Sequence, residues 1–165
     1  EPVSVEASIS ARDSAHAKGL EFSMEFEPDL PQIMADKAKI LRVFKLLLSN
    51  AVKFTKAGTV CLKITHSRPL AHNLGPNQQS IQCSVMDSGI GITRVHTTRV
   101  FEKFYQVDNS TTREFRGSGL GLSVCKAIVE AHGGHIWIES ELHKGTTVHV
   151  VLPITQQSTD DAHNA

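Results

Sequence analysis

The sequence has no charge imbalance and few cysteines. Its 17 lysines and arginines are matched by 17 aspartates and glutamates, so nothing favours a general attraction to nucleic acid or to a membrane surface, and only a local basic site stays open. The three cysteines, Cys61, Cys83 and Cys125, show no CxxC spacing and lie among apolar residues. This pattern argues against disulfides and zinc and predicts buried thiols in the reducing cytoplasm.

A long apolar segment is also missing from the sequence. No stretch approaches the roughly 20 apolar residues that a membrane-spanning helix needs, and no signal peptide opens the chain. With 165 residues, 40% of them apolar and 21% charged, the composition is typical of one globular domain with its own core. We expect residues 1–154 to form this domain and residues 155–165 to be a polar, disordered tail.

Hydrophobic periodicity predicts an α+β fold. Apolar residues at helical spacing indicate helices at 4–18, 36–54 and 120–132, the second of them capped by Asp36, and alternation indicates strands at 20–26, 58–64, 81–86, 135–140 and 146–152. Several of these strands follow one another as hairpins between the helices. We therefore expect a two-layer α/β sandwich in which a mixed, mainly antiparallel sheet packs on helices.

The segment after the predicted strand 81–86 combines a carboxylate with glycines, at Asp87, Gly89 and Gly91. Glycines let the backbone approach a flat ligand closely. A carboxylate repels phosphate, so Asp87 suits the base of a nucleotide, where it would accept a hydrogen bond from an exocyclic amine. Taken alone, an ordinary Asp-Ser-Gly turn is the simpler explanation.

A second glycine-rich segment precedes the last predicted helix and consists of Gly117, Ser118, Gly119, Leu120 and Gly121. Unpaired N–H groups at a helix start bind anions, so this segment is a candidate phosphate site. Its spacing differs from the dinucleotide fingerprint GxGxxG, and the sequence contains no GxxxxGK[ST] phosphate loop. A flexible hinge beside a helix end is the alternative.

Asn50 and Lys53 lie on the predicted helix 36–54. Asn50 has leucine, alanine and valine neighbours, and a polar amide in such a row needs a partner or the edge of a pocket. Its oxygen suits Mg²⁺, which combines few protein ligands with phosphate and water oxygens, and Lys53 lies three residues away on the same side. A helix-end asparagine and a solvated lysine are the alternative. Together with the two glycine-rich segments, however, these residues predict a Mg-ATP site.

These motifs resemble those of sensor histidine kinases, in the order of that family and from about residue 3 to residue 154. In this sequence, LSNAVKFT at 48–55 resembles the N box of the family, DSGIGI at 87–92 its G1 box and FEKFYQVD at 101–108 its F box. GSGLGL at 117–122 resembles the G2 box, and GTT at 145–147 resembles the final glycine–threonine element. The residues in these motifs most resemble those of hybrid sensor kinases. The resemblance implies an ATP-binding catalytic domain with the Bergerat fold, which gyrase-like, Hsp90-like and MutL-like ATPases share.

The resemblance also implies roles for the candidate residues. By analogy with the family, Asp87 binds adenine, partly through water, and Thr146 or Thr147 supports it. Asn50 binds Mg²⁺, while Lys53 and the amides of the second glycine-rich segment bind phosphates. These residues would form one cavity, with adenine at one end and the triphosphate at the other.

A mobile lid over this cavity is implied at residues 93–118, anchored by the packing of Phe101 and Phe104. The sequence departs from the family at two positions near the phosphates. Leu46 stands one helical turn before the metal-binding asparagine, where members usually have Asn, Glu or His. It supplies no base for hydrolysis, whereas transfer to an imidazole, already a nucleophile, is less affected. Arg116 replaces a frequent glycine and either reaches a γ-phosphate or lies in solvent.

None of the nine histidines has the His-Glu-x-x-x-Pro-like setting of a phosphoacceptor helix. We therefore expect a separate dimerisation domain to carry that histidine, a receiver domain or response regulator to be a further partner, and this domain to make no direct membrane contact. The leading hypothesis is a protein histidine kinase that transfers the γ-phosphoryl group of Mg-ATP. A degraded kinase domain that binds a nucleotide or a partner is the alternative that Leu46 suggests. A gyrase- or Hsp90-type ATPase is a third, against which the missing acidic base argues.

Overall fold

The computed structural model describes residues 2–67, 79–107 and 119–154. The helices in these ranges are α1 (Val3–Ala17), α2 (Lys37–Phe54), α3 (Arg94–Thr97) and α4 (Gly121–Ala131), and the strands are β1 (Glu21–Phe26), β2 (Thr59–Ser67), β3 (Ser80–Asp87), β4 (His135–Glu141) and β5 (Gly145–Pro153). Every predicted helix and strand is confirmed, and the short helix α3 is an addition. The predicted tail at 155–165 lies outside the described residues.

The five described strands form one sheet in the order β1-β2-β3-β5-β4. β1 pairs with β2 in parallel, and the other three neighbouring pairs are antiparallel. The predicted mixed, mainly antiparallel sheet is therefore confirmed. In the register of β3 and β5, Val85 pairs with Val148 and Asp87 pairs with Thr146. Since side chains alternate along a strand, all four lie on the same face of the sheet.

The hydrophobic core lies between this face of the sheet and helices α1, α2 and α4. Helix α2 contacts both α1 and α4, and all three helices contact strands. Its buried strand residues alternate along β2, β3 and β5, and its buried helix residues recur at helical spacing. Examples from the strands are Val60, Leu62, Cys83, Val85 and Val150, and examples from the helices are Val43, Leu47, Leu48, Ala51, Cys125 and Val129. Burying a side chain such as Leu48 contributes about 1.5–3 kcal/mol to folding.

Helix α2 begins at the residue that its sequence predicts. The Asp36 carboxylate accepts a hydrogen bond of 3.1 Å from the Lys39 N–H, which satisfies one of the donors that a helix start leaves without a partner. Helix α1 packs against α2 through small buried residues, namely Ser4, Ala7, Ser8, Ala11 and Ala15. Their size lets the two helices approach closely, so α2 is held on both the sheet side and the α1 side.

The far end of α4 is tied to the start of α2 by one histidine. His132 Nδ1 donates to the Ile128 carbonyl at 2.7 Å, and its Nε2 accepts from the Asp36 N–H at 3.1 Å. This pair of bonds requires a neutral imidazole with the proton on Nδ1. The C-terminal end of α4 therefore has a fixed position relative to α2.

The other face of the sheet carries an aromatic and polar group of side chains. Trp137 on β4 stacks on His149 on β5, with ring centroids 4.7 Å apart, and His149 Nδ1 lies 2.8 Å from Ser84 Oγ.

None of the described helices combines the length and hydropathy needed to cross a lipid bilayer.

Candidate functional site

The candidate site begins at Asp87, the last residue of β3. Its carboxylate Oδ1 accepts a hydrogen bond from the Gly89 N–H at 2.9 Å. Burial raises the pKa of Asp87 to about 6, although the N–H groups of Gly89 and Thr146 act in the opposite direction. The side chain is therefore charged at neutral pH, and a carboxylate has more acceptor positions than these two donors use. It can accept a further hydrogen bond from a ligand.

The turn that follows Asp87 is attached to α2 and β2. The Ile90 N–H donates to the Phe54 carbonyl at 3.3 Å, and the Ser88 N–H donates to the Thr59 carbonyl at 3.1 Å. A Cβ on Gly89 would lie 2.5 Å from the Phe54 carbonyl oxygen. Only glycine permits this approach, so the motif at 87–91 holds the carboxylate close to the C-terminal end of α2.

The hairpin between β4 and β5 holds the same turn from the opposite side. The His143 N–H donates to the Ile90 carbonyl at 2.7 Å, and the Ile92 N–H donates to Ser140 Oγ at 2.9 Å. Gly91 has φ +61°, and a Cβ there would overlap the carbonyl of Glu141. Gly91 is therefore required by both its backbone conformation and its neighbour.

Of the two threonines expected to support Asp87, Thr146 lies on its side of the sheet. Thr146 pairs with Asp87, whereas Thr147 pairs with Met86, so the Thr147 side chain lies on the opposite face. Thr146 Oγ1 is 2.8 Å from Ser140 Oγ. The geometry therefore favours Thr146 as the hydroxyl neighbour of the carboxylate.

Asn50 lies near the start of α4. It is half-buried on α2, and its Nδ2 is 3.9 Å from the place that a Cβ on Gly121 would take, as is Leu46 Cδ2. Asn50 is one helical turn before Phe54, whose carbonyl holds the Asp87 turn. The amide and the carboxylate therefore belong to one continuous framework.

The start of α4 suits an anion. Among the described residues, no side-chain hydrogen bond caps this end, which follows Gly119 and Leu120 and begins at Gly121. Backbone N–H donors near the side-chain amide of Asn50 are groups that suit a Mg²⁺-bound triphosphate, so the donor set fits the implied ligand. Gly117 and Ser118, which the sequence adds to this segment, lie outside the described residues.

Lys53 lies on α2, between Asn50 and Phe54 in the sequence. Its ammonium is 5.2 Å from the centre of the Phe54 ring, and its side chain is half-buried. A contact with phosphate stays a prediction. Arg116 lies outside the described residues.

The expected lid is described as far as residue 107. Phe101 packs against the core, as predicted. The prediction that Phe104 also packs is wrong, because its side chain is 73% exposed. Its backbone makes the contact instead, since the Phe104 N–H donates to the Gly119 carbonyl at 2.9 Å. The remainder of the lid, at 108–118, lies outside the described residues.

Sequence reasoning missed two serines that position the Asp87 turn. Ser88 Oγ accepts from the Thr59 N–H at 2.8 Å. Ser140 Oγ donates to the Gly145 carbonyl at 2.9 Å and joins the hairpin to Ile92. Ser88 is part of a recognised turn motif, but Ser140 carries no signal, because its role depends on the pairing of β4 with β5.

Comparison with known proteins identifies the family of this chain. Residues 35–156 match the family model described as histidine kinase-, DNA gyrase B- and HSP90-like ATPase. The sensor histidine kinase WalK of Bacillus subtilis is 36% identical over 84% of this chain. The adaptive-response sensory kinase SasA of Gloeothece citriformis is 33% identical over 93% of it. The chain spans 22% of the first relative and 37% of the second.

Solved structures show the same fold. Full-length ShkA in complex with AMPPNP superimposes with a TM-score of 0.76 at 29% identity, covering 94% of this chain and 30% of that one. The nucleotide-free catalytic domain of the histidine kinase ThkA gives 0.73 at 23% identity and covers 93% of each chain. The chain therefore belongs to the histidine kinase-, DNA gyrase B- and HSP90-like ATPase family and is an ATP-binding catalytic domain of the sensor histidine kinase type.

Proposed function

We propose that this domain binds Mg-ATP and transfers its γ-phosphoryl group to a histidine on a separate dimerisation and acceptor domain. The observation that carries the proposal is the half-buried Asp87 carboxylate, which is joined through the Phe54 carbonyl to the helix that bears Asn50. A base-recognising group and a metal-binding amide on one rigid framework suit a ligand with a purine at one end and phosphates at the other.

At the adenine end, Asp87 accepts a hydrogen bond from the exocyclic amine, directly and through water. A charged acceptor in a partly desolvated position discriminates strongly for a donor, because an unmatched polar group there would lose its hydration without compensation. Thr146 lies beside the carboxylate on the same face and supports the base. Gly89 and Gly91 keep side chains away from the plane of the ring.

At the phosphate end, Asn50 supplies an amide oxygen for Mg²⁺, which neutralises charge on the phosphates when bound. The backbone N–H groups at Gly119, Leu120 and Gly121, and at Gly117 and Ser118 by the sequence motif, donate to phosphate oxygens. Lys53 adds a positive charge from α2. Together with Asp87, Gly89, Gly91 and Thr146, these residues form the proposed site; Thr147 is left out because its side chain lies on the opposite face of the sheet.

The transfer itself needs little chemistry from the protein. The imidazole nitrogen of the acceptor forms a bond to the γ-phosphorus while the bond from that phosphorus to the bridging oxygen of ADP breaks, and ADP leaves with the electron pair. Because imidazole is already a nucleophile, the domain acts through positioning and charge neutralisation. The methyl groups of Leu46 beside Asn50 are compatible with this reaction, which requires no base on α2.

The proposed setting is two-component signalling in the cytoplasm. Residues 1–154 act as the catalytic domain and 155–165 as a tail. A receiver domain or a response regulator takes the phosphoryl group from the acceptor histidine. The acceptor domain is the partner that this domain must reach.

A second candidate function is favoured by the residue at position 46. Leu46 lies one helical turn before Asn50, and each side chain reaches to 3.9 Å from the Gly121 Cβ position. An apolar group there cannot hold a water on a metal. A degraded kinase domain that binds a nucleotide or a partner without transferring phosphate would tolerate such a residue.

The test is to mix the domain with the histidine-bearing domain of its intact protein and γ-labelled ATP. We expect acid-labile, alkali-stable phosphate on the acceptor, which identifies a phosphorus–nitrogen bond. Calorimetric titration of ATP with and without Mg²⁺ is the companion measurement. Binding without transfer would support the second candidate, and an absence of binding at millimolar ATP would rule out phosphoryl transfer and leave only a partner-binding module.

A further inference from the structure

The ammonium group of Lys18 lies at the C-terminal end of α2. Lys18 follows α1 and is succeeded by Gly19, whose φ of +72° ends that helix. Its Nζ donates to the carbonyls of Val52 at 2.7 Å, Lys53 at 3.3 Å and Thr55 at 3.2 Å. An ammonium has three N–H donors, so this arrangement uses all of them on one helix end.

These bonds determine which hydrogen-bond donor each of the last carbonyls of α2 has as its partner. A helix leaves its final carbonyls without intrahelical partners, and they carry the negative end of the helix dipole. Lys18 takes two of them, at Val52 and Lys53, together with the Thr55 carbonyl just after the helix. Thr55 Oγ1 donates to the Ala51 carbonyl at 2.8 Å. The Phe54 carbonyl is left for the Ile90 N–H of the Asp87 turn.

We propose that Lys18 is a positioning residue of the nucleotide site, which sets the placement of Asp87 relative to Asn50. The inference rests on the function proposed above. Phe54 is one helical turn from Asn50, so the Phe54–Ile90 bond links the end of the helix that bears the amide to the turn that bears the carboxylate. By holding the flanking carbonyls, Lys18 prevents the helix end from fraying or rotating and so keeps the Phe54 carbonyl directed at Ile90.

The test compares Lys18→Met with Lys56→Met. Methionine keeps the length of the side chain and removes the ammonium, and Lys56, exposed on the loop after α2, matches the loss of charge. We expect Lys18→Met to weaken ATP affinity about tenfold, the scale of a lost charged hydrogen bond, with Lys56→Met equal to wild type. Lys18→Arg should recover most of the affinity, because a guanidinium also donates to several carbonyls.

A double-mutant cycle separates positioning from stability alone. In an Asp87→Asn background, Lys18→Met should weaken ATP binding by less than about threefold, because the carboxylate that it positions is already absent. An equal loss in both backgrounds would overturn the inference and leave only a stabilising role. If Lys18→Met does not fold, Lys18→Gln, which retains N–H donors, replaces it in the same cycle.

Amide exchange of Ile90 provides a readout that needs no nucleotide. Removing the ammonium should speed exchange of the Ile90 N–H in the folded protein, while the Gly89 N–H, which is bonded to Asp87, changes less. If the wild-type domain binds ATP and Lys18→Met has the same ATP affinity and the same Ile90 exchange rate, the inference is refuted and the proposed function stands. A wild-type domain that binds no ATP would instead refute both.

Discussion

The two ends of the proposed nucleotide site are held in different ways. The Asp87 turn is attached by backbone hydrogen bonds to α2, to β2 and to the β4–β5 hairpin. The start of α4 has no side-chain cap among the described residues, although its far end is fixed to α2 through His132. The carboxylate proposed to recognise the base is therefore held in place by the fold around it, whereas the segment proposed to bind phosphate is positioned from the far end of α4.

The largest expected effect comes from a methyl group added at Gly91, in the Asp87 turn, and a methyl group added at Gly121, at the start of α4, is its comparison. Gly91→Ala should lower the free energy of unfolding by about 2–4 kcal/mol, because the new Cβ overlaps the Glu141 carbonyl and φ is positive. Gly121→Ala should change it by less than about 1 kcal/mol, since its Cβ would have only ordinary contacts. Urea unfolding measures both. Similar losses in the free energy of unfolding at Gly91 and Gly121 would contradict the difference between the two ends of the site.

Removing the amide should affect the phosphate end alone. We expect Asn50→Ala to reduce Mg²⁺-dependent phosphoryl transfer about 100-fold, the upper range for loss of a metal-site interaction, with little change in ADP affinity in the absence of Mg²⁺. Ser49→Ala, at the exposed neighbouring position on α2, is the control. Equal losses with and without Mg²⁺ would assign Asn50 to general packing.

Removing the carboxylate charge should affect the adenine end alone. Asp87→Asn should weaken ATP binding by about 1–3 kcal/mol, the cost of an unmatched polar partner, and leave the affinity for inorganic triphosphate unchanged. Asp13→Asn, on the exposed side of α1, controls for net charge. Unaltered ATP affinity in Asp87→Asn would remove this residue from the base-binding role.

The pH dependence of stability should reveal the same carboxylate. The pKa of Asp87 is about 6 in the folded protein and is raised from 3.8 by burial. Its contribution to stability is therefore fully present below pH 3.8 and is lost as the pH rises through about 6. We expect Asp87→Asn to become more stable relative to wild type between pH 4 and pH 7. A constant difference across this window, measured by urea unfolding, would show that Asp87 is not desolvated.

The smallest effect is expected at Leu46. Leu46→Asn should leave the fold intact at a cost of about 1–2 kcal/mol, because the side chain packs only partly against the core. Phosphoryl transfer should stay within about threefold of wild type, since imidazole needs no base from α2. A clear gain in the transfer assay would show that the native domain is impaired and would favour the second candidate function.

The sequence predicts the local features of this molecule better than the pairings between distant segments. The Asp36 cap and the apolar face of α2 follow from spacing, and both are present. The parallel pairing of β1 with β2 has no local signal, because parallel strands are joined by a long crossover. Only the register of β3 and β5 distinguishes Thr146 from Thr147.

Within the site, the sequence also does not predict which side chains are exposed to solvent. Phe101 and Phe104 have similar neighbours in the sequence, yet only Phe101 packs. Phe104 adopts φ +64°, which directs its backbone to Gly119 and its ring to solvent. The three carbonyl contacts of Lys18 likewise depend on where α1 ends relative to α2, and spacing along the chain does not encode this.

The position of Trp137 has a practical consequence for these measurements. It is the single tryptophan of the chain, and it stacks on His149 on the face of the sheet opposite Asp87. Its intrinsic fluorescence should therefore report loss of the sheet without direct contact with a nucleotide bound at the other face. One optical signal can follow unfolding in every variant, with ligand present or absent, and no label has to be introduced.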